Sequence, residues 1–382
     1  MNNELTFRNY LAMVLDGMAK GLFASLIIGT IISQIGSLLG NIDNETVSRF
    51  ALAIEQIGRA AQLMMGSAIG AGVAFRRGVK PFTLLAAVAA GALGAGTLNF
   101  ADGGIAIASV GVGDPVGALL AVLAAIEIAR LVEGKTKFDL LIIPAIVIAI
   151  GGAVGFIVTP IIAEGLARFG IFVNSITELH PIPMSILLAT IIGITLTLPI
   201  ISSAALCIAI GIGGDPAGIL TYVTEYIRIE DGSYIPVEAA TFTFGTIAAG
   251  AALAGACAQM VGFAVISFRE NRVSGLISQG IGTSMIQIPN IIKNPWIWLP
   301  PIIASAIAGP IAAVLLSLRT TSVGAGMGTS GLVGPFQTIY VMGMSSFVQM
   351  LIAFVILPAV VSLVIAELMR KKGLIKPNDL KL

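Results

Sequence analysis

The chain has 382 residues, of which 57% are hydrophobic and only 11% are charged, and its formal net charge is +1. Soluble domains carry about 25% charged residues, so this composition excludes an ordinary soluble protein. A net charge this close to zero gives no indication of a nucleic-acid partner. We therefore expect a chain embedded in a lipid bilayer.

Apolar runs long enough to cross a bilayer follow one another along the whole chain. A membrane-spanning helix needs about 20 apolar residues, and the runs of suitable length are 21–42, 51–75, 81–101, 115–132, 140–163, 181–214, 239–268, 296–318 and 320–366. Several are too long for a single crossing and must contain a break. The sequence predicts an all-α membrane protein with about nine or ten transmembrane helices and two or three re-entrant or broken-helix hairpins.

Three breaks are predicted in the C-terminal half of the chain. Pro199 divides the run 181–214, GIGTSMIQIPNIIKNP covers 280–295, and the glycine-rich GAGMGTSGLVGP covers 324–335. Hydrocarbon tolerates irregular backbone only where protein or a water-filled cavity surrounds it. Because interrupted membrane segments mark the binding sites of transporters, we predict that 280–292 and 324–338 line a solute cavity.

The distribution of Lys and Arg predicts the orientation in the membrane. Basic loops at 76–80, 135–137, 269–272 and 370–372 alternate with acidic or neutral loops at 41–50, 102–114 and 215–238. Basic loops remain in the cytoplasm, so both termini are expected there. The N-terminus lacks the pattern of a cleavable signal peptide, and the first apolar segment is expected to remain as an anchor.

Weak internal repetition leaves two interpretations open. GDPVG at 113–117 returns as GDPAG at 214–218. Two structural halves would explain the repeat, as in many transporters. Ordinary turn chemistry explains it equally well, because Pro fixes φ and Asp bonds to the following backbone.

Several uncharged polar side chains in the apolar runs are candidates for solute binding. Gln259 lies within a charge-free run among small residues, where it either binds a solute or joins two helices. Ser284, Gln287 and Asn290 recur every three residues, as one polar stripe on a helix would. That stripe either recognises sugar hydroxyls or faces the membrane interface beside Trp296 and Trp298.

The other candidates follow the predicted breaks or precede a span. They are Ser202 and Ser203 after Pro199, Thr329, Ser330 and Gln337 around the glycine run, and Glu178 with His180 before the span 181–214. His180 either takes part in binding or only begins a helix whose first turn contains two prolines. The chain has one histidine and two cysteines, and we assign no metal site, cofactor or catalytic residue.

Taken together, five segments resemble the membrane-embedded enzyme IIC components of bacterial sugar phosphotransferase systems. They are KFDLLIIP (137–144), LPIISSAAL (198–206), GACAQMVGFAVISFREN (255–271), GIGTSMIQIPNIIKNP (280–295) and GAGMGTSGLVGP (324–335). The branch that contains the perfringolysin O regulator type proteins is the most similar. The resemblance implies a homodimer in the bacterial inner (cytoplasmic) membrane that binds a sugar or polyol, with separate IIB and IIA chains supplying any phosphate. Glu178, in SITELHP, corresponds only loosely to the sugar-binding Glu of the family's G-I-T-E-P motif.

The division of the chain follows from the same resemblance. We expect an N-terminal helical half at 1–135 with a part in dimerisation, a transport half at 136–369 that carries the hairpins, and a basic cytoplasmic tail at 370–382. The predicted function is a permease component that translocates a sugar-like solute. The alternative is a membrane sensor or regulator that keeps the fold but has lost phosphoryl transfer.

Overall fold

The structure is a computed structural model, and it describes residues 6–40, 42, 44–101, 104–107, 113–135, 138–177, 180–199, 203, 206–207, 226–228, 234–236 and 242–382. In the first half of the chain the elements are α1 (Phe7–Leu22), α2 (Ile28–Gly40), α3 (Glu45–Leu63), α4 (Met65–Arg76), α5 (Pro81–Gly94), β1 (Leu98–Ala101), β2 (Gly104–Ile107), α6 (Pro115–Val132), α7 (Asp139–Thr177) and α8 (Pro181–Thr197). A π-helical turn, Phe23–Ile27, joins α1 to α2.

The second half is more broken. Its elements are β3 (Tyr226–Arg228), β4 (Tyr234–Pro236), α9 (Phe242–Ile266), α10 (Phe268–Ile277), α11 (Ile288–Lys293), α12 (Leu299–Pro310), α13 (Ser322–Met327), α14 (Val333–Met342), α15 (Phe347–Met350) and α16 (Leu357–Lys371). Short π or 3₁₀ turns at Ser278–Gly282, Ser284–Gln287, Pro295–Trp298, Ile311–Leu315, Ser330–Leu332, Met344–Ser346 and Leu351–Ile356 link the later helices. The strands form two small antiparallel hairpins, β1 with β2 and β3 with β4.

The predicted all-α membrane architecture is confirmed. In the described part of the chain, six helical segments are long and apolar enough to span a bilayer: Phe7–Gly40, Pro115–Val132, Asp139–Val158, Ile247–Ile266, Pro295–Leu315 and Met344–Lys371. Pro81–Gly94 and Pro181–Thr197 are shorter apolar helices. The breaks also occur as predicted, because the backbone leaves regular helix at 278–287 and at 328–332.

Helix α8 ends just before Pro199, as the sequence predicted. Ser203, Leu206 and Cys207 beyond it are helical, while the rest of the predicted half-helix lies outside the described residues. On α3, Glu55 and Arg59 lie one turn apart and form an ion pair at 2.7 Å.

Small residues allow the N-terminal helices to pack backbone against backbone. A Cβ atom added to Gly17 of α1 would lie 2.6 Å from the Gly72 carbonyl oxygen of α4. Close approach of this kind holds helices together in lipid, where burial of apolar surface gives little driving force. One hydrophobic cluster joins α1 and α4–α7 to the segment 285–299 and to the C-terminal residues Ile375 and Leu380.

The N-terminal helices therefore directly support residues 278–295, the first broken segment. Arg8 of α1 donates to the Ile292 carbonyl over 2.8 Å and also to the Lys293 carbonyl, both at the C-terminal end of α11. A cation at this end of a helix satisfies free carbonyl groups and opposes the helix dipole. The predicted boundary at 135 falls between α6 and α7, and the division into a dimerising and a transporting part stays a prediction.

Asp114 begins α6 as a helix cap. Its carboxylate accepts from Val116 N at 3.2 Å and from Gly117 N at 2.9 Å, and Pro115 occupies the first helical position. Turn chemistry therefore accounts for the first GDP motif, while the second motif, at 214–218, lies outside the described residues.

Replacing Asp114 with Ala is expected to destabilise the protein by about 1 kcal/mol, because two backbone N–H groups lose their acceptor. Thermal unfolding of the detergent-solubilised protein measures the change. Asp114→Asn keeps an acceptor oxygen and should unfold like wild type. An equal loss of stability in both variants would assign the effect to charge instead of capping.

Candidate functional site

Gln259 is fully buried at the centre of a polar cluster between α8, α9, α12 and the turn Pro295–Trp298. Its Nε2 donates to Ser305 Oγ over 3.2 Å. Its Oε1 accepts from Thr197 Oγ1 at 3.2 Å and from Trp298 Nε1 at 2.9 Å. Because an unpaired buried amide costs about 1–3 kcal/mol, these contacts fix the orientation of the Gln259 side chain.

The cluster continues into the first broken segment. Thr197 Oγ1 and Ser284 Oγ are 2.8 Å apart, and both residues are fully buried. Thr283, just before, caps the 3₁₀ turn by accepting from Met285 N at 3.2 Å. The end of α8, the middle of α9 and the turn at 284–287 are therefore joined through side-chain hydroxyl and amide groups.

The two broken segments meet each other directly. Thr329 Oγ1 of the glycine-rich segment donates to the Gly280 carbonyl of the first segment. Gly328, with φ of +57°, packs so closely on α9 that an added Cβ would lie 3.0 Å from the carbonyl carbon of Ala256. Ser203 Oγ donates to the Gly326 carbonyl over 2.5 Å. We call the region where 278–284 and 326–332 meet the junction.

Hydroxyl groups without hydrogen-bond partners lie on both sides of this junction. In the described part of the chain, six buried side-chain oxygen atoms have no partner; those of Ser278 and Ser330 belong to the two segments of the junction, and that of Thr320 lies just before α13. Ser330 and Thr320 are each 1% exposed. Buried polar groups are normally satisfied, so each exception requires a physical explanation.

Gln337 braces the start of the glycine-rich segment. Its Oε1 accepts from Thr321 Oγ1 at 3.1 Å, and Thr321 in turn accepts from Gly324 N at 3.2 Å as the cap of α13. The Arg319 side chain lies close by and donates to the carbonyl groups of Ala313 and Leu318. Partial burial lowers the pKa of the Arg319 guanidinium from its ordinary value.

The predicted polar stripe divides into two parts with different contacts. Ser284 joins the Gln259 cluster, whereas Gln287 and Asn290 face the C-terminal residues. Gln287 Nε2 donates to the Leu380 carbonyl over 3.0 Å, and Asn290 Nδ2 donates to the Lys381 carbonyl over 2.9 Å. These two amides bind the protein's own main chain.

The remaining predicted site residues are His180, Glu178 and Ser202. His180 is exposed and precedes the first turn of α8, at the end of that helix opposite Thr197. A helix of this length separates the two positions by about 25 Å. Glu178 and Ser202 lie outside the described residues. No group of His, Cys, Asp and Glu suited to a metal ion occurs among the residues that are described.

Comparison with known proteins identifies the family. Residues 12–382 match the family described as phosphotransferase system, EIIC. The chain belongs to the phosphotransferase system EIIC family. A search of curated proteins found no match. Family membership and the apolar helices make this EIIC protein a multi-pass membrane protein and a sugar permease component.

Sequence reasoning missed three residues of the Gln259 cluster. Thr197, Ser305 and Trp298 all contact the Gln259 amide in this EIIC protein. The polar edge of Trp298 points into the protein, although its sequence context predicted a membrane-interface anchor. One signal was available for Thr197 and Ser305, because each places a hydroxyl group in an apolar run, as Gln259 places an amide.

Proposed function

We propose that this EIIC protein binds a neutral sugar or polyol at the junction of its two broken segments and carries it across the membrane. The observation that supports this most directly is the pair of buried, unpartnered hydroxyl groups of Ser278 and Ser330, one in each segment of the junction. The hydroxyl groups of a bound sugar would supply the missing partners, since they both donate and accept.

The surrounding groups favour a solute without charge. Thr197, Ser203, Gln259, Ser284 and Thr329 contribute hydroxyl and amide groups, and backbone carbonyl groups contribute acceptors. Recognition would therefore depend on hydrogen bonds instead of ion pairs. Gln337 would act indirectly by holding Thr321 and the start of α13.

Membership of the EIIC family supports coupling to a separate phosphoryl carrier. We propose that separate IIB and IIA chains phosphorylate the solute at the cytoplasmic face of the bacterial inner membrane. A homodimer with cytoplasmic termini belongs to the same proposal, as does similarity to the perfringolysin O regulator branch. Proposed site residues outside the junction are Gln287, Asn290 and His180, together with Glu178 and Ser202.

Uptake and binding measurements test the proposal together. Purified protein is titrated calorimetrically with hexoses, pentoses, sugar acids and alditols, and proteoliposomes are assayed for uptake of the radiolabelled solute with and without added IIB proteins. We expect binding of at least one neutral compound, and faster uptake with the matching IIB protein. If no compound binds, the proposal fails and the regulator hypothesis gains support.

Replacing Ser330 with Ala separates a binding role from a structural one. Because the hydroxyl has no protein partner, its removal should leave thermal stability unchanged or slightly raised. Loss of one neutral hydrogen bond to the solute should weaken binding about threefold to tenfold. Calorimetry and thermal unfolding of the same sample measure both quantities.

Ser346 provides the matched control. It is also a buried serine, but its Oγ donates to the Gly343 carbonyl over 2.8 Å. Ser346→Ala should therefore lose about 1 kcal/mol of stability and keep its solute affinity. If Ser330→Ala loses stability and keeps its affinity, Ser330 is structural and does not belong to the solute site.

A further inference from the structure

The C-terminal segment 372–382 lies against the side of the first broken segment that faces away from the Gln259 cluster. Four side-chain amides, those of Asn271, Gln287, Asn290 and Asn294, hold it by its main chain. They donate to the carbonyl groups of Leu380, Lys381 and Leu374 over 2.7–3.0 Å. Asn271 also accepts from Leu382 N at 2.9 Å. The segment is therefore held through its backbone.

A turn within this segment sets its shape. Asp379 Oδ2 accepts from Lys376 N at 2.8 Å and from Asn294 Nδ2 at 2.7 Å. Two apolar side chains anchor the segment, Ile375 at 2% exposure and Leu380 at 0%. Both belong to the hydrophobic cluster that also contains Ile288 and Ile291 of α11.

The middle of the segment borders solvent. Lys376, Pro377 and Asn378 are exposed. Together with Arg269, Glu270 and Arg370, the segment surrounds an open cavity of about 490 Å³. Segments that border solvent and open space are less stable than the helix core and open before it.

A continuous path of amides connects this segment to the junction. Gln287, which holds Leu380, also donates to Gln279 Oε1 over 2.9 Å. Gln279 precedes Gly280, which accepts from Thr329. Ser284, three residues before Gln287, bonds to Thr197 at 2.8 Å. A displacement of Gln287 would therefore disturb contacts on both sides of the proposed solute site.

We propose that residues 372–382 form a strap that holds the first broken segment closed, and that release of the strap opens the junction. The inference rests on the proposed function only in treating 278–287 as a wall of the solute site. Opening itself is measured without any solute. Failure of the strap and failure of solute binding are therefore distinguishable.

Cysteine accessibility tests the strap in purified full-length protein. The native Cys207 and Cys257 are buried, so wild type should react slowly with a hydrophilic maleimide. A Ser284→Cys reporter, at a position with 0% exposure, should also react slowly while the strap is bound. Truncation after Ile375 should raise its labelling rate about tenfold or more, because the segment then opens locally.

Two controls separate release of the strap from unfolding. An Ala74→Cys reporter, at an equally buried position of α4, should stay unreactive after truncation. In the full chain, Asp379→Ala removes only the carboxylate contacts with Lys376 N and Asn294 Nδ2, and should raise labelling at position 284 by a smaller factor. Lys376→Gln, at an exposed position of the same segment, should leave labelling unchanged.

The outcomes decide the proposal in either direction. Faster labelling at position 284 in Asp379→Ala, with position 74 still protected, supports the strap even if the truncated protein unfolds. Unchanged labelling at position 284 in the Asp379→Ala variant overturns it, whether or not the truncated protein stays folded.

Discussion

Replacing Gly255 with Ala is expected to cause a large loss of folded protein. Gly255 of α9 packs directly on the backbone of α8, and an added Cβ would overlap the Ala189 carbonyl group and lie 2.6 Å from its Cα. No flexible side chain can move aside, so α8 must shift away from α9. Overpacking typically costs 1–3 kcal/mol, and a clash with the α8 backbone, which cannot rotate away as a side chain can, places this variant at about 3 kcal/mol.

The same shift should disturb the polar cluster. Thr197 lies on α8 and Gln259 lies one helical turn after Gly255 on α9, so separating the helices lengthens their 3.2 Å hydrogen bond. Thermal unfolding in detergent measures stability, and calorimetry on the surviving folded fraction measures solute affinity. Both should fall in this variant.

Gly165 supplies a matched control in helix α7. An added Cβ there meets no atom within 4 Å, and Ala has a higher helix propensity than Gly by about 1 kcal/mol. Gly165→Ala should therefore be neutral or slightly stabilising. If Gly255→Ala behaves in the same way, the close approach of α8 and α9 is not a requirement of the fold.

The sequence predicted the broken segments because their causes are local. Gly and Pro remove a Cβ or an N–H at known positions, and such residues concentrate at 280–295 and 324–335. In the structure Gly328 and Gly331 have positive φ, a conformation that glycine adopts without strain. Leu332 also has a positive φ of 58°, and no sequence rule predicts a leucine in that conformation.

The partners of each polar side chain could not be predicted in the same way. Gln259 was identified because a buried amide is costly, but its partners Thr197, Trp298 and Ser305 lie 62, 39 and 46 residues away. Such contacts depend on which helix faces pack together. The three-residue spacing of Ser284, Gln287 and Asn290 predicted a single polar stripe. It could not show that the break turns Ser284 towards Thr197 and the other two residues towards 380–381.

Replacing Gln259 with Leu is the second change for which we expect a large effect. Leu has nearly the same size, so the packing of α9 is preserved while the amide is lost. Trp298 Nε1 and the Thr197 hydroxyl lose the acceptor they share, and Ser305 loses a donor. Thr197 keeps its contact with Ser284 and Ser305 keeps two carbonyl acceptors, so the main cost is the unpaired Trp298 N–H, for which we expect a loss of about 1–3 kcal/mol.

Solute binding should fall further than stability alone explains. Without Gln259, the Thr197 hydroxyl loses one of its partners, so its 2.8 Å contact with Ser284 holds the turn at 284–287 less firmly. A misplaced turn would change the geometry of the whole junction. We expect the affinity of the folded fraction to fall at least about tenfold, which corresponds to 1.4 kcal/mol.

Two threonines of α8 provide the comparison that isolates this effect. Thr190 Oγ1 donates to the Ile186 carbonyl over 2.7 Å on the exposed side of the helix, while Thr197 reaches Gln259 and Ser284. Thr197→Val should reproduce part of the loss of affinity, and Thr190→Val should reproduce none. A contrary result would be lower stability in Gln259→Leu together with wild-type solute binding by both folded variants, Gln259→Leu and Thr197→Val. The cluster would then only join helices, and the solute site would lie elsewhere.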